Sequence, residues 1–103
     1  MKLNVVILNA LRYQDKESKK EKMRIGYALC DKNAVSIQEK FKGVSELSVF
    51  LDFSEELWNA ITVDTIYTPS EFVFEENLNP RNPLKKILNL KSVKLKNANI
   101  DLL

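Results

Sequence analysis

The chain lacks histidine altogether, carries one cysteine, Cys30, and has only two glycines, Gly26 and Gly43, among its 103 residues. Without histidine there is no ordinary general base near neutral pH, no imidazole metal ligand and no Ser-His or Cys-His nucleophile pair. A single cysteine excludes an intrachain disulfide and a thiolate metal cluster, and an unpaired thiol fits a reducing cytoplasm. Two isolated glycines exclude the Gly-rich phosphate loops of nucleotide-binding folds. Long hydrophobic runs are missing as well. The stretch Leu3 to Leu11 holds nine residues with Asn4 and Asn9 inside it, too short to cross a bilayer, and no small-residue cleavage site follows it. The expectation is a cytoplasmic protein with no membrane contact.

What is present suits one globular domain over residues 1–103. Apolar residues make up 45% of the chain, enough for a core, while the net charge of +2 argues neither for nor against a nucleic-acid partner. The adjacent carboxylates Glu55-Glu56 fit the start of a helix, and Glu75-Glu76 fit a solvated approach to a turn. No spacing asks for a metal or an acid–base pair. The chain reads as non-catalytic, with no cofactor.

Hydrophobic alternation marks most of the elements. Leu3–Leu11 is rich in β-branched residues and forms a strand with one apolar and one mixed face. Residues 12–22 (RYQDKESKKEK) lack an apolar stripe and read as a flexible basic loop. Met23–Asp31 alternates, with Gly26 marking a bulge or a close approach to the backbone. Ala34–Phe41 continues with Val35 and Ile37 in phase. Ser45–Phe53 places Leu47, Val49, Leu51 and Phe53 on one face, and Ser54-Glu55-Glu56 opens a short helix. Ile61–Tyr67 and Phe72–Phe74 read as strands, Asn77–Pro83 as a loop and Leu84–Leu88 as one helical turn. The last strand, Asn89–Lys96, changes parity between Leu90 and Val93, which predicts a bulge near Ser92; the tail 97–103 is expected to be mobile. Strands at this spacing with one helix predict a mostly β protein, a small five- to six-stranded antiparallel barrel.

Charge is segregated along the chain. Residues 1–27 carry seven basic and three acidic side chains, residues 28–84 four and ten, and residues 85–103 five and one. If the ends meet in a barrel, Arg12, Lys16, Lys19, Lys20, Lys22 and Arg24 share a face with Lys91, Lys94 and Lys96, forming a groove that tracks a phosphate backbone. Tyr13, Tyr27, Phe41 and Lys42 are interleaved with these positions. For Tyr27 and Phe41 base stacking and core burial are both open, because Tyr27 is in phase with Met23, Ile25 and Leu29. Phe50, Phe53, Trp58, Phe72 and Phe74 read as core, and Cys30 as an inert small hydrophobe.

A strand, a basic loop, the segment Lys19-Lys20-Glu21-Lys22-Met23-Arg24-Ile25-Gly26-Tyr27-Ala28-Leu29 and a last strand Leu90-Lys91-Ser92-Val93-Lys94-Leu95-Lys96 follow in order. This order resembles the small single-stranded-DNA-binding proteins of filamentous phages and related mobile elements, over about residues 1–53 and 88–96. The resemblance implies an OB-like barrel, usually dimeric, that coats single strands without sequence preference during replication. It implies that Lys16–Arg24 is the binding wing and Tyr27 the stacking residue. The acidic segment 46–76 has no counterpart in that family. A second reading is therefore a protein–protein interaction or structural accessory module of a phage or mobile element, docking through that segment.

Overall fold

The computed structural model describes residues 1–102, with the backbone alone at Asn79, Pro83, Lys85 and Lys86. The described chain runs β1 (Lys2–Gln14), β2 (Glu21–Leu29), a 3-10 turn (Lys32–Ala34), β3 (Val35–Ile37), β4 (Lys42–Val44), β5 (Leu47–Asp52), α1 (Glu55–Ala60), β6 (Pro69–Asn79), β7 (Asn82–Lys94) and β8 (Asn99–Asp101). Six strands form one antiparallel sheet in the order β5-β2-β1-β6-β7-β8, and β3 with β4 makes a separate two-stranded ribbon. The fold is mostly β with one short helix, as the alternation indicates. No helix is long and apolar enough to cross a membrane among the described residues.

One face of the sheet is buried. Val5, Ile7, Met23, Ile25, Tyr27, Phe72, Phe74, Leu90, Val93 and Ile100 line it, and Leu57 from α1 covers one end. Phe72 is fully buried and holds Tyr27 at 5.0 Å and Phe74 at 6.2 Å between ring centroids. Tyr27 keeps only 7% of its surface, and burial pushes its phenol pKa above the usual value. The mixed face of β1 has a local cause. The β1–β2 register shifts between Ile7 and Asn9, leaving Leu8 as the extra residue. Beyond this bulge the inward side passes from Val5 and Ile7 to Ala10 and Arg12, opposite Ile25 and Met23. The parity change in the last strand is likewise a register shift, where Val73 faces Ser92 and Phe74 faces Leu90.

Closure of the sheet does not follow the sequence expectation. β5 and β7 face each other across two grooves of about 480 Å³ and 430 Å³ without a ladder between them. Part of the β7 edge is already taken, because β8 pairs with Ser92–Lys94 and the Leu102 amide donates to the Lys91 carbonyl at 2.8 Å. The tail expected to be mobile is therefore tied to the sheet through residue 102; Leu103 lies outside the described residues.

Other departures trace to local hydrogen bonding and pairing. Residues 12–14 and 21–22 belong to β1 and β2, so the basic loop shrinks to residues 15–20. Ile61–Tyr67 forms turns rather than a strand. The Thr62 amide donates to Thr65 Oγ1 at 2.7 Å and that hydroxyl donates back to the Thr62 carbonyl at 2.9 Å, so short polar side chains satisfy the backbone in place of a ladder. Leu84–Leu88, read as a helical turn, belongs to β7, with Lys86–Leu88 paired to β6. α1 starts where expected, with Ser54 Oγ accepting from the Leu57 amide at 3.3 Å and Glu55 and Glu56 in the first turn. The radius of gyration, 14.9 Å, exceeds the roughly 13 Å typical of about 100 residues, and the extents of 41 × 38 × 26 Å describe a flattened molecule.

The burial of Tyr27 predicts a folding role. Tyr27→Ala should lower the unfolding free energy by roughly 3 kcal/mol in urea melts, whereas Tyr27→Phe, which keeps the ring against Phe72, should cost less than about 1.5 kcal/mol. An Ala variant as stable as the parent would show that the ring does not support the core.

Candidate nucleic-acid interface

The outward side chains of β1, β2 and β5 form three rows set by strand register. Tyr13, Lys22 and Asp52 make one row; Leu11, Arg24 and Phe50 the next; Asn9, Gly26 and Ser48 the third. Phe50 is 64% exposed and Leu11 55%, on either side of Arg24. A large aromatic held on a rigid strand, open to solvent and beside a guanidinium, offers a stacking surface for a planar ligand. Phe50 was expected in the core. Its parity nonetheless opposes Leu47, Val49, Leu51 and Phe53, so the alternation itself carried the signal.

The charges around this platform are largely paired across strands. Lys22 Nζ lies 3.4 Å from Asp52 Oδ1, and Arg24 Nη2 lies 3.7 Å from Glu46 Oε1. Arg12 Nε donates to Glu21 Oε2 at 2.7 Å while its guanidinium stacks over the Phe53 ring at 4.0 Å. That hydrogen bond raises the Arg12 pKa and holds the Glu21 carboxyl below the usual carboxylate range.

Beside the platform, the 15–20 loop is built around Asp15. Its carboxylate accepts from the Ser18 amide at 3.1 Å and the Ser18 hydroxyl at 2.6 Å, which lowers its pKa. Lys19 adopts a left-handed φ of 63°, and the Gln14 side chain donates to its carbonyl. Lys16, Lys19 and Lys20 are exposed, with no ion pair among the described residues.

The remaining expected contacts lie elsewhere. Tyr27 points into the core. Phe41 and Lys42 sit on the β3–β4 ribbon, whose Val35, Ile37 and Val44 are also exposed. Lys94 shares an outward row with Asn4, Glu71 and Asn99. Asn4 is seven residues from Leu11 along β1, about 23 Å, so the topology does not bring Lys94 and Lys96 onto the Arg24 platform. The acidic segment 46–76 is likewise dispersed. Glu46 and Asp52 pair with β2, Glu71 pairs with Lys2 at 3.6 Å, Glu55 and Glu56 begin α1, and Glu75 lies on the β6–β7 hairpin.

Comparison with protein-family models, with curated proteins and with solved structures finds no match for this chain.

The Arg12–Glu21 pair predicts a pH response of fixed sign. Because the Glu21 pKa is depressed in the folded state, its stabilising contribution is present above the ordinary carboxylate range. It is lost as pH falls through the folded-state midpoint. A carboxyl-detected NMR titration should place the Glu21 midpoint below the ordinary range in the parent and return it upward in Arg12→Gln.

Proposed function

We propose that this chain binds single-stranded nucleic acid, DNA in the first place, without sequence preference, across the outer face of β1, β2 and β5. The observation that carries this reading is Phe50, exposed on a strand beside Arg24, with Leu11 exposed on the far side of Arg24. Bases stack on Phe50, with Tyr13 at the margin, and Lys16, Lys19 and Lys20 supply the free positive charge for phosphates. Arg24 and Lys22 are already paired, so they engage phosphate only in exchange for their carboxylates.

The strand order supports the same reading. We take the sheet as an OB-type barrel left open between β5 and β7, with α1 between its third and fourth strands. OB folds are partly open five-stranded barrels that bind oligonucleotides on the face of their second and third strands and on the loops joining strands one to two and four to five. Here those parts correspond to the β2–β5 face, the 15–20 loop and the hairpin tip at residues 80–81.

Fluorescence anisotropy with labelled oligo-dT and a duplex of equal length tests the reading. Binding should favour the single strand, and three lysine–phosphate contacts should give a log–log salt slope of about −2. Phe50→Ala should weaken binding by about 1–3 kcal/mol, since its exposed ring contributes to stacking and not to the core. Absence of binding at low salt, or an unchanged affinity in Phe50→Ala, would overturn the proposal.

A further inference from the structure

We infer that Asn9, Arg24 and Gly26 form a cradle for one phosphodiester oxygen, which the chain's own Glu46 occupies in the free protein. The inference rests on the nucleic-acid reading above and adds to it a defined anion seat and an internal competitor.

Glycine at position 26 is required by what lies over it. Its φ is outside the left-handed region, so the backbone itself would accept another residue. A Cβ there would overlap the Glu46 carboxylate oxygen and come within 2.6 Å of Asn9 Oδ1. The missing side chain thus leaves a hollow on the outer face, and one carboxylate oxygen fills it. Two donors converge on that oxygen. Asn9 Nδ2 donates to Glu46 Oε1 at 2.9 Å, and Arg24 Nη2 stands 3.7 Å from the same atom. Arg24 Nη1 also donates to Asn9 Oδ1 at 3.3 Å; that oxygen lines the hollow beside Gly26 and is neutralised by the guanidinium, while Nδ2 is left to donate to the carboxylate seated there.

A neutral amide donor, a guanidinium and a bare glycine surface suit an oxygen carrying part of a single negative charge. A non-bridging phosphodiester oxygen offers the same charge and the same lone pairs as the carboxylate now seated there. Glu46 comes from the residues joining β4 to β5, outside any strand, and its side chain is nearly half exposed. Such an exposed ion pair is weak and yields to a competing anion. The seat lies one row from Phe50, two residues along β2, or about 7 Å. A strand stacked on Phe50 therefore passes the cradle with its backbone, and Glu46 sets how readily that strand displaces it.

The test compares the parent, Glu46→Ala and the double variant Glu46→Ala/Gly26→Ala, using oligo-dT affinity and the Asn9 side-chain NH₂ resonances during titration with dimethyl phosphate. The atoms crowding position 26 are side-chain ends, so the added methyl leaves the ladder in place, which the dispersion of the amide spectrum verifies. Glu46→Ala should bind oligo-dT about fivefold more tightly, the gain from releasing one exposed ion pair. Dimethyl phosphate should shift the Asn9 NH₂ signals in that variant. The double variant, with its hollow filled, should lose both effects. A gain that persists in the double variant would reflect net charge alone and overturn the cradle. So would parent binding of oligo-dT with no gain in Glu46→Ala. If no protein binds oligo-dT but dimethyl phosphate shifts Asn9 in Glu46→Ala alone, the anion seat stands and the nucleic-acid reading falls. If neither signal appears, both fall.

Discussion

The contact on which the rest depends is the packing of Phe72 against Tyr27. The sheet has two halves, β5-β2-β1 and β6-β7-β8, and they share a ladder only where Lys2–Val6 of β1 meets Pro69–Val73 of β6. Five residue pairs are a short seam for six strands. Phe72 stands in that seam, fully buried, and its ring reaches across to Tyr27 on β2 and along to Phe74. Aromatic packing of this kind buries much area at fixed geometry, so it sets how the two halves curve toward each other. The positions of the outer rows, and hence of Phe50 and Arg24, follow from that curvature.

A second constraint is the pairing of charge across strands. Along the chain the ends are basic and the middle is acidic, which suggests two oppositely charged surfaces. The antiparallel order sets acidic residues from the middle of the chain beside the first two strands, so Asp52 meets Lys22, Glu46 meets Arg24 and Glu71 meets Lys2. Opposite charges on neighbouring strands favour the observed register. Linear segregation thus becomes local neutralisation, and the net positive charge left near the platform is concentrated in Lys16, Lys19 and Lys20. The oxyanion seat proposed at Gly26 arises from the same arrangement, because Glu46, in the connection from β4 to β5, pairs with Arg24 over that glycine.

Individual residues show why the sequence was legible in some places and not in others. Period-two alternation located β2 and β5, and the same alternation placed Phe50 on the outer face, although its size argued for the core. Ile61–Tyr67 alternates as well, but Thr62 and Thr65 close their own hydrogen bonds and break the strand. Lys94 and Lys96 have the right chemistry for a phosphate groove. Their separation from Arg24 depends on strand order, which no local pattern encodes.

By itself the sequence determined that the protein is mostly β, which side of most strands faces inward, where α1 begins and that the last strand bulges. These follow from side-chain period and local backbone chemistry, whose range is a few residues. Only the tertiary structure decided that the sheet stays open between β5 and β7, that Tyr27 is core while Phe50 is surface, and that carboxylates from the middle of the chain cover the basic strands. Those outcomes depend on which strands become neighbours. That choice is made by burial of one shared face around Phe72, an energy summed over residues far apart in the chain.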